Sequence, residues 1–135
     1  MQQQIYRLVF WIGYFSILII TFVPAVGDLN KIKTGQVVLY FRLDLLLHFL
    51  VYFLICMYYL IGLNKGFKLL VRNSLRKFIL VILLLGVITE IIQLWVPERA
   101  FNVFDLVSNV SGVGIGVIAI KMVQKHKNLT VLFFY

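Results

Sequence analysis

The chain has 135 residues, enough for one domain. It is 62% hydrophobic and only 13% charged, with a mean hydropathy of +1.00. Soluble domains hold roughly 45–50% apolar residues, and a small one cannot hide a larger share from water; the composition therefore excludes a water-soluble fold and points to a bilayer. The net charge of +8 would raise nucleic acid as a partner in a soluble protein. Here the basic residues sit between apolar runs, with no Lys/Arg stripe interleaved with aromatics, so no nucleic-acid partner is expected. Cys56 stands alone inside an apolar run, which rules out an internal disulfide and reads as a small buried hydrophobe.

Four apolar segments are predicted as helices, at about 5–23, 43–63, 78–96 and 104–123. Each is near the ~20 residues that a helix needs to cross the hydrocarbon core. Backbone groups in lipid must pair within their own segment, which favours helix over an isolated strand. Pro24 ends the first segment and Pro97 the third. The expected fold is all-α: one integral membrane domain over 1–135, with four transmembrane helices.

The connections orient these helices. Arg7, the run Lys65, Lys68, Arg72, Arg76 and Lys77, and the tail residues Lys121, Lys125 and Lys127 put nine basic residues on one side. Lys31, Lys33, Arg42 and Arg99 put four on the other. The positive-inside rule assigns the first group, and with it both termini, to the cytoplasm. All five acids, Asp28, Asp44, Glu90, Glu98 and Asp105, then lie toward the outer side. Ala25-Val26-Gly27 also resembles a signal-peptide cleavage site; cleavage there would leave the remaining topology unchanged.

Polar residues within the spans cost several kcal/mol unless paired or hydrated, and they fall into a pattern. Helix two opens with Asp44, His48 and Tyr52 at i, i+4 and i+8, on one face. At ~1.5 Å per residue the set reaches about 12 Å into the membrane. Taken singly, Asp44 reads as a helix cap, His48 as its partner and Tyr52 as a bundle aromatic. Helix three carries Glu90 and Gln93 just before Pro97. Glu90 is either a buried carboxyl satisfied by His48 or Asn109, or a general acid/base, a cation ligand or a proton carrier. Arg99, in the hairpin that follows, is suited to bidentate pairing with phosphate or carboxylate, or to an ion pair with Glu98 or Asp105. Helix four begins with Asp105 and Asn109 on one face, then Gly112 and Gly116 in GxxxG spacing. Such small residues let helices pack closely, within the chain or between copies in an oligomer. All these groups fall at one depth near the outer face. Glu90, His48 and Asp105 are the catalytic candidates; Arg99, Asp44, Gln93, Asn109 and Tyr52 are the binding candidates. A metal held by His48, Glu90 and Asp105 lacks any close ligand-pair motif, so neither metal nor cofactor is expected.

Two blocks resemble the VanZ-like family, named for a teicoplanin-resistance accessory protein. One is Asp44-Leu-Leu-Leu-His48-Phe-Leu-Val-Tyr52. The other joins Glu90-Ile-Ile-Gln93, Arg99-Ala-Phe101 and Asp105-Leu-Val-Ser-Asn109-Val-Ser-Gly112 with Gly116. With the spans around them they cover about residues 40–120. The resemblance implies a small multi-pass protein of the bacterial cytoplasmic membrane, associated with the cell envelope and, in some members, with glycopeptide tolerance. It supplies no reaction. Many members carry a lysine after the aspartate of the first block; Leu45 stands there in this chain, and Arg42 would have to substitute for it.

The expected function is binding or modification of a lipid-linked or peptidoglycan-related group at the outer leaflet, in contact with membrane lipid. Arg99 would hold an anionic group, Glu90 and His48 would exchange protons, and Asp44 would orient His48. The alternatives are a non-enzymatic scaffold that uses the same groups to hold a partner, and a proton- or ion-coupled permease component. A permease needs polar groups along the whole path, and the cytoplasmic halves of the helices offer almost none.

Overall fold

A computed structural model describes residues 1–21, 43–70, 75–96 and 101–133. Within them the chain forms α1 (Gln2–Thr21), α2 (Leu43–Asn64), α3 (Leu75–Gln93) and α4 (Val103–Phe133), with no strand among the described residues. Three stretches are long and apolar enough to cross a membrane: Gln2–Ile20, Leu45–Asn64 and Val103–His126. The third helix carries Arg76, Lys77 and Glu90 within its 19 residues.

The helix ends follow local chemistry. Asn102 caps α4: its side-chain Oδ1 accepts the Phe104 N–H at 3.1 Å, and its carbonyl accepts Asp105 and Leu106. α2 ends at Gly66, whose φ of +72° suits a residue without Cβ; Phe67 N–H then reaches back to the Gly62 carbonyl at 2.8 Å, the Schellman closure. α3 stops at Gln93, three residues short of the predicted end. Leu94, Trp95 and Val96 follow as single turns, each N–H reaching three residues back, because a residue before proline is driven out of the α region. At the other extreme α4 runs to Phe133, so the predicted basic tail continues the helix. Thr21, Pro24 and the Ala25-Val26-Gly27 stretch border or lie in 22–42, outside the described residues apart from the backbone of Thr21.

Packing is closest between α2 and α4, followed by α3 on α4 and α1 on α3. The reason is on α4. A Cβ on Gly112 would collide with the Phe49 carbonyl oxygen and come within 3.2 Å of Phe53 N, and one on Gly116 would meet Cys56. Only glycine permits the two backbones to sit this close. These two glycines, considered above as an oligomer contact, are buried against α2 of the same chain. Gly114 faces away, exposed and with open space around it.

The core along the bundle is Cys56, Tyr59, Phe78, Ile82, Leu85 and Ile120. Tyr59 stacks on Phe78 with centroids 4.0 Å apart. At one end, Tyr6 and Tyr58 stack at 4.8 Å, and Tyr58 donates its hydroxyl hydrogen to the Tyr6 carbonyl at 2.9 Å. Arg7 Nε donates to the Lys68 carbonyl at 2.6 Å, which ties α1 to the basic connection. Elsewhere the helix surfaces are apolar: Leu8, Phe15, Leu54, Leu84, Ile115 and Ile118 are all exposed.

Candidate functional site

The end of the bundle away from Arg7 and Lys68 is formed by the start of α2, the end of α3 and the start of α4. Its buried polar residues come from two of these helices: Thr89, Glu90 and Gln93 from α3, Asp105 and Asn109 from α4. His48, half-buried, comes from α2.

Asn109 is the link between the three helices. Its Nδ2 donates to Glu90 Oε1 at 3.4 Å, and its Oδ1 lies 3.0 Å from His48 Nδ1. An amide oxygen only accepts, so Nδ1 carries a hydrogen and donates it. That fixes the ring orientation and turns Nε2 toward Asp105 Oδ2, 3.9 Å away. This is too long for a hydrogen bond and suits a charge pair when the ring is protonated. Asp105 is itself held from the other side, since Asn102 Nδ2 donates to its Oδ1 at 2.9 Å.

Glu90 has no exposed surface. Its Oε2 is buried without a hydrogen-bond partner among the described residues, although the Asn102 backbone N–H faces the same carboxyl. A carboxylate oxygen without a partner in the interior loses the solvation it had in water, and such an exception calls for a specific cause. One turn further into the bundle the Tyr52 hydroxyl meets Thr89 Oγ1 at 3.3 Å, and Thr89 in turn donates to the Gly86 carbonyl at 2.9 Å. Tyr52 also lies beside Gly86, where an added Cβ would sit in ordinary contact with the tyrosine ring and Asn109.

Residues 4–124 match the sequence profile of the VanZ/LLP1 family. The chain belongs to the VanZ/LLP1 family. No curated protein and no solved structure matches it. In this VanZ/LLP1 protein the two sequence blocks that carry the resemblance are the ones that meet in space: His48 and Tyr52 from the first, Glu90, Asp105 and Asn109 from the second. Gln93 is buried three residues beyond Glu90. Asp44 lies in the first turn of α2, but its side chain and the whole of Arg99 lie outside the described residues.

Two contributors were not singled out from the sequence. Asn102 holds both the start of α4 and Asp105; the signal was available, since Asn followed three residues later by an acid is a helix-start signature. Thr89, partner of Tyr52, had no such signal, because a threonine in an apolar run is ordinary.

The arrangement brings together an imidazole, an amide and two carboxyl groups from three helices. His48, with 24% of its side chain exposed, and Asp105, with 10%, are the members that reach the surface. Glu90 lies behind them.

Proposed function

We propose that the chain is a multi-pass protein of the bacterial cytoplasmic membrane, with four spans and both termini in the cytoplasm, whose polar cluster faces the outer leaflet and binds or modifies a cell-envelope group. The group is lipid-linked or peptidoglycan-related. The observation that carries the reading is the buried set of His48, Asn109, Glu90 and Asp105 at one end of an otherwise apolar bundle. Polar groups at membrane depth are expensive and mark function by default.

Sidedness rests on charge. Arg7, Lys65, Lys68, Arg76, Lys77, Lys121 and Lys125 gather toward the opposite end, as the positive-inside rule requires for a cytoplasmic face. Trp95, Phe101 and Phe104 are exposed near the cluster, where aromatic rings settle at a membrane–water boundary. The third helix completes the four spans when the turns to Val96 are added to it. Between the two ends, Tyr59, Phe78, Ile82 and Leu85 fill the core, an arrangement that suits a site open to one side rather than a permeation path.

In this reading Arg99 holds a phosphate or carboxylate of the ligand, while His48 and Glu90 exchange protons with it. Asp105 stabilises the charged ring of His48, and Asn109 keeps the ring and Glu90 in register. Glycopeptide tolerance, which the resemblance implies for some members of the family, is the phenotype by which this reading is tested. The test is growth of a susceptible bacterium across teicoplanin concentrations, with vancomycin as control. Wild type, Glu90→Gln, His48→Ala and Arg99→Ala are compared at matched membrane levels. Protection by wild type alone supports the reading. Equal protection by all four makes the polar residues structural, and no protection by any removes the link to tolerance.

A further inference from the structure

The cluster brings acceptor atoms together from three helices, His48 from α2, Glu90 from α3 and Asp105 from α4. One ring nitrogen of His48 and one carboxylate oxygen each from Glu90 and Asp105 lie within 4.8 Å of one another. Asn109 takes the Nδ1 hydrogen of His48 and occupies Glu90 Oε1. His48 Nε2 faces Asp105 Oδ2 at 3.9 Å, and Glu90 Oε2 is buried with no side-chain partner among the described residues, the Asn102 backbone N–H facing the same carboxyl. Lone-pair atoms gathered in a low-dielectric interior repel one another unless a proton or a metal ion sits between them.

We propose that His48, Glu90 and Asp105 form the site of one divalent transition-metal ion, with zinc the best fit. This rests on the placement of the working site at this end of the bundle given above, and makes His48 and Glu90 ligands in place of the proton-exchanging roles assigned to them there. An imidazole with two carboxylates is a set that zinc accepts, whereas calcium and magnesium prefer oxygen alone. A centre equidistant from three atoms at the observed spacing lies about 2.8 Å from each, so closing to the ~2.0–2.2 Å of zinc ligands takes less than about 1 Å of side-chain movement. The surroundings are those of a metal site. Asn109 fixes the tautomer of His48 by accepting from Nδ1, and Asn102 steadies Asp105 through Oδ1, as outer partners do for ligands elsewhere.

Three protein ligands leave a fourth position open. The class of ligand it takes is an oxyanion: a phosphate or carboxylate oxygen, or a water in its place. The sequence offered the same three residues but could not show that they meet, because they are separated by 42 and 15 residues rather than set one helical turn apart.

The test uses the full chain, purified in detergent and stripped with chelator. Zinc is titrated calorimetrically and cobalt(II) spectroscopically. Wild type is expected to bind one ion per chain, with the visible absorption of a low-coordinate cobalt centre. His48→Ala and Asp105→Asn should weaken binding by roughly tenfold or more, judging by the size of effects that even outer-shell partners have. Helical circular dichroism should be retained, and Tyr58→Phe at the opposite end should leave binding unchanged. His48→Cys supplies a control for misfolding: it should restore binding and add thiolate-to-cobalt charge-transfer absorption. The inference is overturned if wild type takes up no ion, or if both alanine and asparagine variants bind as wild type does, which would put the ion elsewhere, for instance on His126. Run beside the teicoplanin assay, the two readings separate. Metal binding without protection keeps the site and sinks the envelope reading. Protection without metal binding does the reverse.

Discussion

Replacing Gly112 with alanine tests the packing that creates the cluster. The added methyl would meet the Phe49 carbonyl oxygen, with Phe49 C and Phe53 N each 3.2 Å away. These are backbone atoms of α2 and cannot rotate aside, so the helices must separate. Overpacking of this kind costs about 1–3 kcal/mol. A separation on the order of 1 Å would also stretch the His48 to Asn109 contact from 3.0 Å past the range of a hydrogen bond. Gly114→Ala is the internal comparison. Gly114 lies two residues away on the same helix, exposed, with nothing near its missing side chain. There alanine should be neutral or stabilise by up to about 1 kcal/mol through helix propensity. The assay is reversible unfolding in mixed micelles, followed by helical signal, for wild type and both variants. Gly112→Ala should unfold well before Gly114→Ala. Equal stability of the two would refute the close α2–α4 approach, and with it the geometry that brings His48 to Asn109.

Other consequences can be measured in the same preparations. Asn109→Leu removes the bridge and leaves His48 Nδ1–H and Glu90 Oε1 without it; at about 1–3 kcal/mol per unsatisfied buried group, it should be among the most damaging single changes, and a loss under about 1 kcal/mol would show that the bridge contributes little. Gly66→Ala places a side chain at φ +72° and should cost about 1–2 kcal/mol without altering zinc uptake, which thermal and calorimetric measurements on one sample can check. Tyr58→Phe loses the 2.9 Å bond to the Tyr6 carbonyl, an expected loss of about 0.5–1.5 kcal/mol with no effect on the cluster. For sidedness, a membrane-impermeant maleimide should label Phe101→Cys in intact cells and Lys125→Cys only after permeabilisation; the reverse order would invert the topology. The native Cys56 has no exposed surface and should stay silent in that experiment.

Much of this protein is determined locally and was therefore legible in the sequence. Helices follow from runs of apolar residues long enough to cross a bilayer, and Pro97 was read as the stop of the third; Asn102 and Gly66, which shape two other ends, act just as locally but were not singled out. Periodicity placed Glu90 with Gln93, and Asp105 with Asn109, on single helix faces, and all four are buried. The same local reasoning ran the third helix to Val96, because apolar residues continue to Pro97; the backbone had to leave the α conformation sooner, at Gln93. Spacing along one helix cannot say which atoms meet across helices. Asp44, four residues from His48, was the natural partner to assign to the ring. The partners found among the described residues are Asn109 and Asp105, 61 and 57 positions away in sequence. Nor could the GxxxG spacing say whether its groove would receive a second copy or the chain's own α2. Those choices belong to the tertiary structure, because they depend on which backbones can approach most closely. Glycine at 112 and 116 lets α2 settle against α4, and that approach brings one histidine, one amide and two carboxyl groups within reach of one another.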